Sequence, residues 1–271
     1  MKIKNLMSEN VITIDKNQSL NDGLKLLHKH NISRLPVVSE VDGKKALVGI
    51  VSERDIANKL GSLKSANMSP SRLHISSVMV KDVIVASEEE SLEDVARIML
   101  DNHIGSVPVE SDGEMTGIVS KADFATLATG RVYEKLLVKD SMTTSIISVS
   151  PSDRLIHARR VMADNHIGRL PVVSDGEIVG MLTSKDLMRA LIDFKNKVHP
   201  KHQNAQIKNL LVNDIMSSPA LTTSEDASID EVANIMGETG YNGLPVVSDG
   251  EIKGIITKTD ILALIVDLES K

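Results

Sequence analysis

Four short segments of this chain repeat one another. They are Gly49–Asp55 (GIVSERD), Gly117–Asp123 (GIVSKAD), Gly180–Asp186 (GMLTSKD) and Gly254–Asp260 (GIITKTD). Their glycines lie 68, 63 and 74 residues apart. Upstream of each is a proline in an apolar run: Leu35-Pro36-Val37-Val38, Val107-Pro108-Val109, Leu170-Pro171-Val172-Val173 and Leu244-Pro245-Val246-Val247. Further upstream a methionine recurs, at Met7, Met79, Met142 and Met216. Three landmarks in one order, four times over, mark a chain assembled from copies of one supersecondary unit.

Each copy has the same internal grammar. A short β-prone run follows the methionine, such as Val11–Ile14 or Val83–Val85. A helix comes next, with apolar residues on one face: Leu92, Val95, Ala96 and Met99 in unit 2, and Ile229, Val232, Ala233 and Met236 in unit 4. Ser91 with Asp94, and Ser228 with Glu231, read as capping boxes at the helix starts. Two strands follow, joined in units 2 to 4 by Asp112-Gly113, Asp175-Gly176 and Asp249-Gly250, the signature of a tight hairpin with positive φ. In unit 1 the spacing predicts a turn four residues longer, around Asp42-Gly43. A second helix opens at each Ser/Thr-x-x-Asp. Gly105 and Gly168 fit helix ends in the left-handed conformation. The units span 1–61, 74–131, 137–195 and 210–268, with linkers at 62–73 and 196–209.

A βαββα unit of this size buries little surface and leaves one sheet face open. Pairing closes that face, so the expected α+β fold is four βαββα units arranged as two pseudo-twofold pairs, 1 with 2 and 3 with 4. Clefts between paired units are the natural ligand pockets. Phe124, Phe194, Tyr133 and Tyr241 are the whole aromatic set, so the core is aliphatic. That scarcity and a net charge of −6 argue against nucleic-acid binding, which relies on cations and stacking platforms. With no cysteine, thiol chemistry is excluded. The opening residues lack a signal-peptide apolar run, and no stretch approaches a membrane span, so a cytoplasmic protein without membrane contact is expected.

The Gly-h-[Ser/Thr]-x-x-Asp motif, the Leu-Pro-Val-Val strand and the tandem pairing resemble CBS domains, two of which form a Bateman module. The organisation as a whole resembles the γ subunit of AMP-activated protein kinase. The resemblance implies binding of adenosyl compounds: AMP, ADP, ATP or S-adenosylmethionine. It assigns the motif Asp to the ribose hydroxyls and the Ser/Thr to phosphate. The positions are Ser52 and Asp55, Ser120 and Asp123, Thr183 and Asp186, and Thr257 and Asp260. Arg34 and Arg169, two residues before the proline, are similar in placement to the phosphate-contacting arginines of that γ subunit; units 2 and 4 carry Ser106 and Gly243 there.

The residues make chemical sense on their own. Free N–H groups at a helix start favour a phosphate. An ionised Asp accepts two hydroxyl hydrogen bonds, which a ribose diol offers. An arginine adds a bidentate phosphate contact. Adenine would then sit among aliphatic side chains. The same Ser/Thr-x-x-Asp is equally a helix cap, and Arg34 and Arg169 equally suit solvated or paired surface positions. His103 and His166, equivalent in Asn-His-Ile-Gly, fit helix C-termini better than a ligand role. His199 and His202 lie in a polar linker and do not argue for a metal. Lys121, Lys185 and Lys258 face either phosphate or water.

Two functional classes follow. One is a non-catalytic regulatory module, needing no cofactor, that senses an adenine nucleotide (or S-adenosylmethionine) and signals to a protein partner. The other is an oligomerisation scaffold, a homodimer for instance, indifferent to nucleotide. No nucleophile–base pair or metal cluster outside the repeats suggests an enzyme.

Overall fold

The computed structural model describes residues 1–41, 44–62 and 69–269. Unit 1 runs β1 (Ile14–Asp15), α1 (Leu20–Lys29), β2 (Arg34–Val41), β3 (Lys44–Ser52) and α2 (Glu53–Leu60). Unit 2 runs β4 (Ala86–Ser87), α3 (Leu92–Asp101), β5 (Ser106–Ser111), β6 (Glu114–Ser120) and α4 (Lys121–Ala125). In unit 3 the first strand shrinks to one parallel bridge, Val149 to Val172. There follow α5 (Leu155–Asp164), β7 (Arg169–Ser174), β8 (Glu177–Thr183) and α6 (Ser184–Lys197). The spacer before unit 4 folds into α7 (Pro200–Gln206), capped by His199, whose Nδ1 accepts from the Lys201 amide at 3.3 Å. Unit 4 runs β9 (Thr223–Ser224), α8 (Ile229–Thr239), β10 (Gly243–Ser248), β11 (Glu251–Thr257) and α9 (Lys258–Glu269).

The Asp-Gly hairpins form as their chemistry requires. Asp112, Asp175 and Asp249 have φ of 53, 52 and 53°, and the following glycines 78, 87 and 84°. Two successive positive φ values match the twist of the flanking strands. In unit 1 the strands are longer: β2 and β3 have 8 and 9 residues, against 6 and 7 in unit 2. Positions 42 and 43, where that turn was expected, lie outside the described residues.

Two local expectations are corrected. Gly105 and Gly168 are not left-handed; the left-handed residues are His103 (φ 53°), His166 (φ 55°), Asn31 (φ 49°) and Gly240 (φ 71°), each next to the helix end. Ser91 and Ser228 do cap their helices, accepting from the Asp94 and Glu231 amides at 3.1 Å. Among the described residues the return bond of the box is not formed there. Asp94 instead accepts from the Ser91 hydroxyl at 2.6 Å.

The recurring methionine and the recurring glycine meet across the pair, not within a unit. A Cβ on Gly117 would lie 2.6 Å from the Met7 sulfur; on Gly49, 2.7 Å from Met79; on Gly180, 2.8 Å from Met216; on Gly254, 2.6 Å from Met142. The segment opening each unit thus packs on its partner's second strand. Backbone bridges Ser8 to Ile118, Val80 to Ile50, Thr143 to Ile255 and Ser217 to Met181 fix these exchanges. In the second pair the sheets also fuse into one of five strands, in the order β7-β8-β11-β10-β9.

The pairs then join through helices. In one apolar core, Leu35, Val51 and Ile56 of unit 1 share a cluster with Leu170, Leu182 and Leu187 of unit 3, where α2 meets α6. In the other, Val107, Val119 and Phe124 of unit 2 join Leu244, Ile256 and Ile261 of unit 4, where α3 and α4 meet α9. Each fully buried aliphatic side chain contributes about 1.5–3 kcal/mol of transfer free energy. The four units therefore close a ring within one chain, in the order 1-2-4-3. No helix among the described residues is long and apolar enough to cross a membrane.

Candidate functional site

The motif residues sit where the second strand of each hairpin turns into a helix. Ser52, Ser120 and Thr183 are N-cap residues, and Thr257 directly precedes α9. In every unit one carboxylate oxygen closes the cap. Asp55 Oδ2 accepts from the Ser52 amide at 2.9 Å and its hydroxyl at 2.6 Å. Asp123 Oδ2 accepts from both groups of Ser120 at 2.7 Å. Asp186 and Asp260 do the same with Thr183 and Thr257. Capping and ligand binding are therefore compatible readings of these residues. Capping uses Oδ2, and among the described residues Oδ1 of Asp55, Asp123 and Asp186 receives no hydrogen bond. Oδ1 of Asp260 does, from the Thr143 hydroxyl at 2.8 Å.

The residue opposite each cap is the one two before the proline. Arg34 pairs with Ser52, Ser106 with Ser120, Arg169 with Thr183 and Gly243 with Thr257. Units 2 and 4, which lack the arginine, place lysine at the first position of the helix, Lys121 and Lys258. Units 1 and 3 have Glu53 and Ser184 there. Each unit thus sends one cation toward the middle of the ring.

These four cations feel one another. Burial is the first cause lowering the Lys121 ammonium to about 8, followed by repulsion from Arg34, Arg169 and Arg54, with Asp260 opposing. Lys258 is lowered by burial and then by Arg169, and Asp123 opposes. Arg169 is lowered to about 10, by burial against the attraction of Asp260. Arg34 is lowered by burial and then by Arg54. Among the described residues none of the four makes a salt bridge. Asp55, Asp123 and Asp260 oppose these shifts through space without a salt bridge to any of the four, which leaves charged N–H donors for an anion. Ser106, which pairs with Ser120 one residue before Lys121, is 5% exposed, and among the described residues its hydroxyl has no hydrogen-bond partner.

The arginines need glycine next door. A Cβ on Gly105 of unit 2 would fall 2.7 Å from Arg34 Nη2, and one on Gly243 of unit 4 would fall 3.0 Å from Arg169 Nη1. Lys121 reaches further, donating to Thr259 Oγ1 of unit 4 at 2.9 Å. Lys185 points elsewhere, toward Asn31 Oδ1 at 3.4 Å. Arg54 donates to the His166 carbonyl at 3.0 Å. The imidazoles of His103 and His166 stack across the ring, 6.2 Å apart and 8° from parallel.

Ile84, Ile147 and Leu221 each follow the exchanged methionine by five residues and are exposed. Two open concavities of about 510 and 500 Å³ lie apart from the motifs, beside Lys4, Met7 and Thr116 and beside Thr223, Glu231 and Val247. The sequence pointed to the motif residues and the two arginines. It missed Thr143, which belongs to no motif, and the convergence of Lys121 and Lys258, which depends on ring closure.

The comparisons agree with this architecture. The CBS domain model matches residues 3–62, 75–129, 138–193 and 212–267. Protein MJ1225 of Methanocaldococcus jannaschii is 26% identical over 273 residues, covering 96% of this chain and 97% of its own. Its crystal structure, proposed as that of an archaeal homologue of g-AMPK, matches with a TM-score of 0.87 over 98% of this chain and 100% of that one, at 25% identity. Protein MJ1404 of the same organism is 30% identical over 98% of this chain, which spans 62% of that longer protein. A conserved protein of Pyrococcus horikoshii shares the fold, with a TM-score of 0.64 at 23% identity over 98% of this chain and all of its own. Four matched domains, exchanged in pairs and closed into a ring, make this chain a member of the CBS domain family.

Proposed function

We propose that the chain is a regulatory module that binds adenosine-containing ligands of the AMP, ADP and ATP class in the clefts between paired units, and passes the occupied state to a protein partner. The observation that carries this reading is that Arg34 lies against Gly105, Arg169 against Gly243 and Lys121 on Thr259, each across a unit boundary, so that these cations and Lys258 come near one another and near the capped Asp55, Asp123 and Asp260. Anionic phosphates would lie among the cations, against the amides at the helix starts. A ribose diol would donate to the uncommitted carboxylate oxygen. No step of chemistry is needed, and the module acts by binding alone.

Signalling would work through packing. Each phosphate is shared by units that meet through both the exchanged segments and the α2–α6 and α4–α9 contacts. A ligand that favours one arrangement of those contacts shifts the ring toward it. The test is a calorimetric panel of AMP, ADP, ATP and S-adenosylmethionine on the full chain, with thermal unfolding in parallel. A nucleotide of the first three should bind and raise the melting temperature through linkage, and combined Asp55→Ala, Asp123→Ala, Asp186→Ala and Asp260→Ala should abolish the effect. Equal behaviour of all four compounds with no shift would sink the proposal and leave the scaffold reading.

A further inference from the structure

On the reading that each cleft seats a ribose on its motif aspartate, the four clefts are unequal for a reason no motif records. A carboxylate offers about four acceptor positions, two per oxygen. The cap fills both on Oδ2 in every unit. In units 1 to 3 both positions on Oδ1 stay open for the two hydroxyls of a diol. In unit 4 the Thr143 hydroxyl already donates to Asp260 Oδ1 at 2.8 Å.

The contact is held in place from the backbone. Thr143 donates its amide to the Ile255 carbonyl at 3.0 Å and accepts from the Ile255 amide at 2.9 Å. Its side chain is thereby fixed beside the strand that leads into Thr257 and Asp260. The residues at the equivalent point, one after the exchanged methionine, are Ser8, Val80 and Ser217. Valine has no donor. The two serines make no hydrogen bond to Asp123 or Asp186 among the described residues. The unit 4 motif is also bound from a second side, since Lys121 donates to Thr259 at 2.9 Å.

We propose that Thr143 closes the unit 4 cleft to a ribose diol by occupying Asp260, so that the clefts of units 1 to 3 are the nucleotide sites of this chain. Thr143 acts through Asp260 and is a positioning residue. Val80, which keeps the same backbone bridge in unit 1, shows that valine fits the register.

The test is isothermal titration of the full chain with AMP as the probe. Thr143→Val should raise the number of AMP molecules bound per chain by one over the wild type. Thr143→Ala, which also removes the donor, should give the same gain if valine disturbs packing. Thr143→Ser keeps the donor and should bind as the wild type does. Combining Thr143→Val with Asp260→Ala should cancel the gain, an outcome a purely structural role for Thr143 would not produce. An unchanged or reduced stoichiometry in Thr143→Val and Thr143→Ala, with AMP still bound by the wild type, would overturn the closure alone. Absence of AMP binding in every variant and the wild type would overturn the nucleotide reading, and this inference with it.

Discussion

The sulfur of Met7 occupies the space where a side chain on Gly117 would begin, 2.6 Å from the position of its Cβ, although the two residues belong to different units. The Ser8 carbonyl is 3.1 Å from the same point. Gly117→Ala must therefore push the exchanged segment off its partner's strand. Overpacking of this kind costs about 1–3 kcal/mol. Chemical denaturation should show that loss. Adding Met7→Ala should recover part of it, because the two changes touch the same space and a double-mutant cycle detects the coupling. Additive losses would mean that Met7 does not fill the gap.

Gly105→Ala should behave differently. Its nearest neighbours are the guanidinium atoms of Arg34, the free end of a flexible side chain. Stability should fall by less than about 1 kcal/mol, while the displaced charge weakens nucleotide binding about tenfold, the scale of one charge-assisted hydrogen bond. Calorimetry on a variant with unchanged unfolding midpoint would separate the two effects.

Lys121 makes stability depend on pH. Its folded value of about 8 lies below the 10.5 of the free side chain, because burial and then Arg34, Arg169 and Arg54 disfavour the charge. Between those values the unfolded chain holds the proton more often, so this group's contribution to stability rises with pH. Below about 8 its full cost is present. Melting temperatures from pH 7 to 9 should rise in the wild type relative to Lys121→Met, and at neutral pH the variant should be the more stable. Bound phosphate would reverse the shift, so titrations near pH 8 in buffers of different ionisation enthalpy should reveal proton uptake on AMP binding.

Ser106 offers an independent check of the anion centre. Its hydroxyl is buried and has no partner among the described residues, an arrangement that costs about 1–3 kcal/mol in a free protein. Ser106→Ala should raise stability by about 1 kcal/mol without ligand, and the gain should shrink in saturating AMP. A gain that is the same with and without AMP would remove Ser106 from the site.

Much of this was legible in the repeat. Asp112-Gly113 and its equivalents announce their hairpins because few dipeptides accept two positive φ values. Ser52, Ser120, Thr183 and Thr257 announce helix starts because an N-cap needs a short side-chain acceptor. Gly105 and Gly168 misled for a physical reason. A glycine near a helix end suggests a left-handed turn, but here His103 and His166 take that conformation. Gly105 is instead kept small by a guanidinium from another unit, which only the folded ring brings there.

By itself the sequence determined the hairpins, caps and helix faces of each unit, since each is written within a few neighbouring residues. It also determined that units must associate, because one unit cannot bury its own sheet. Tertiary structure decided how paired units interlock and how the two pairs join. Met7 packs on Gly117, α2 meets α6, and the ring closes in the order 1-2-4-3. It also decided that Arg34, Lys121, Arg169 and Lys258 form one charged centre, and that Thr143 occupies Asp260. These contacts join residues far apart in the chain, and shape and desolvation at close range, which no local pattern encodes, select them.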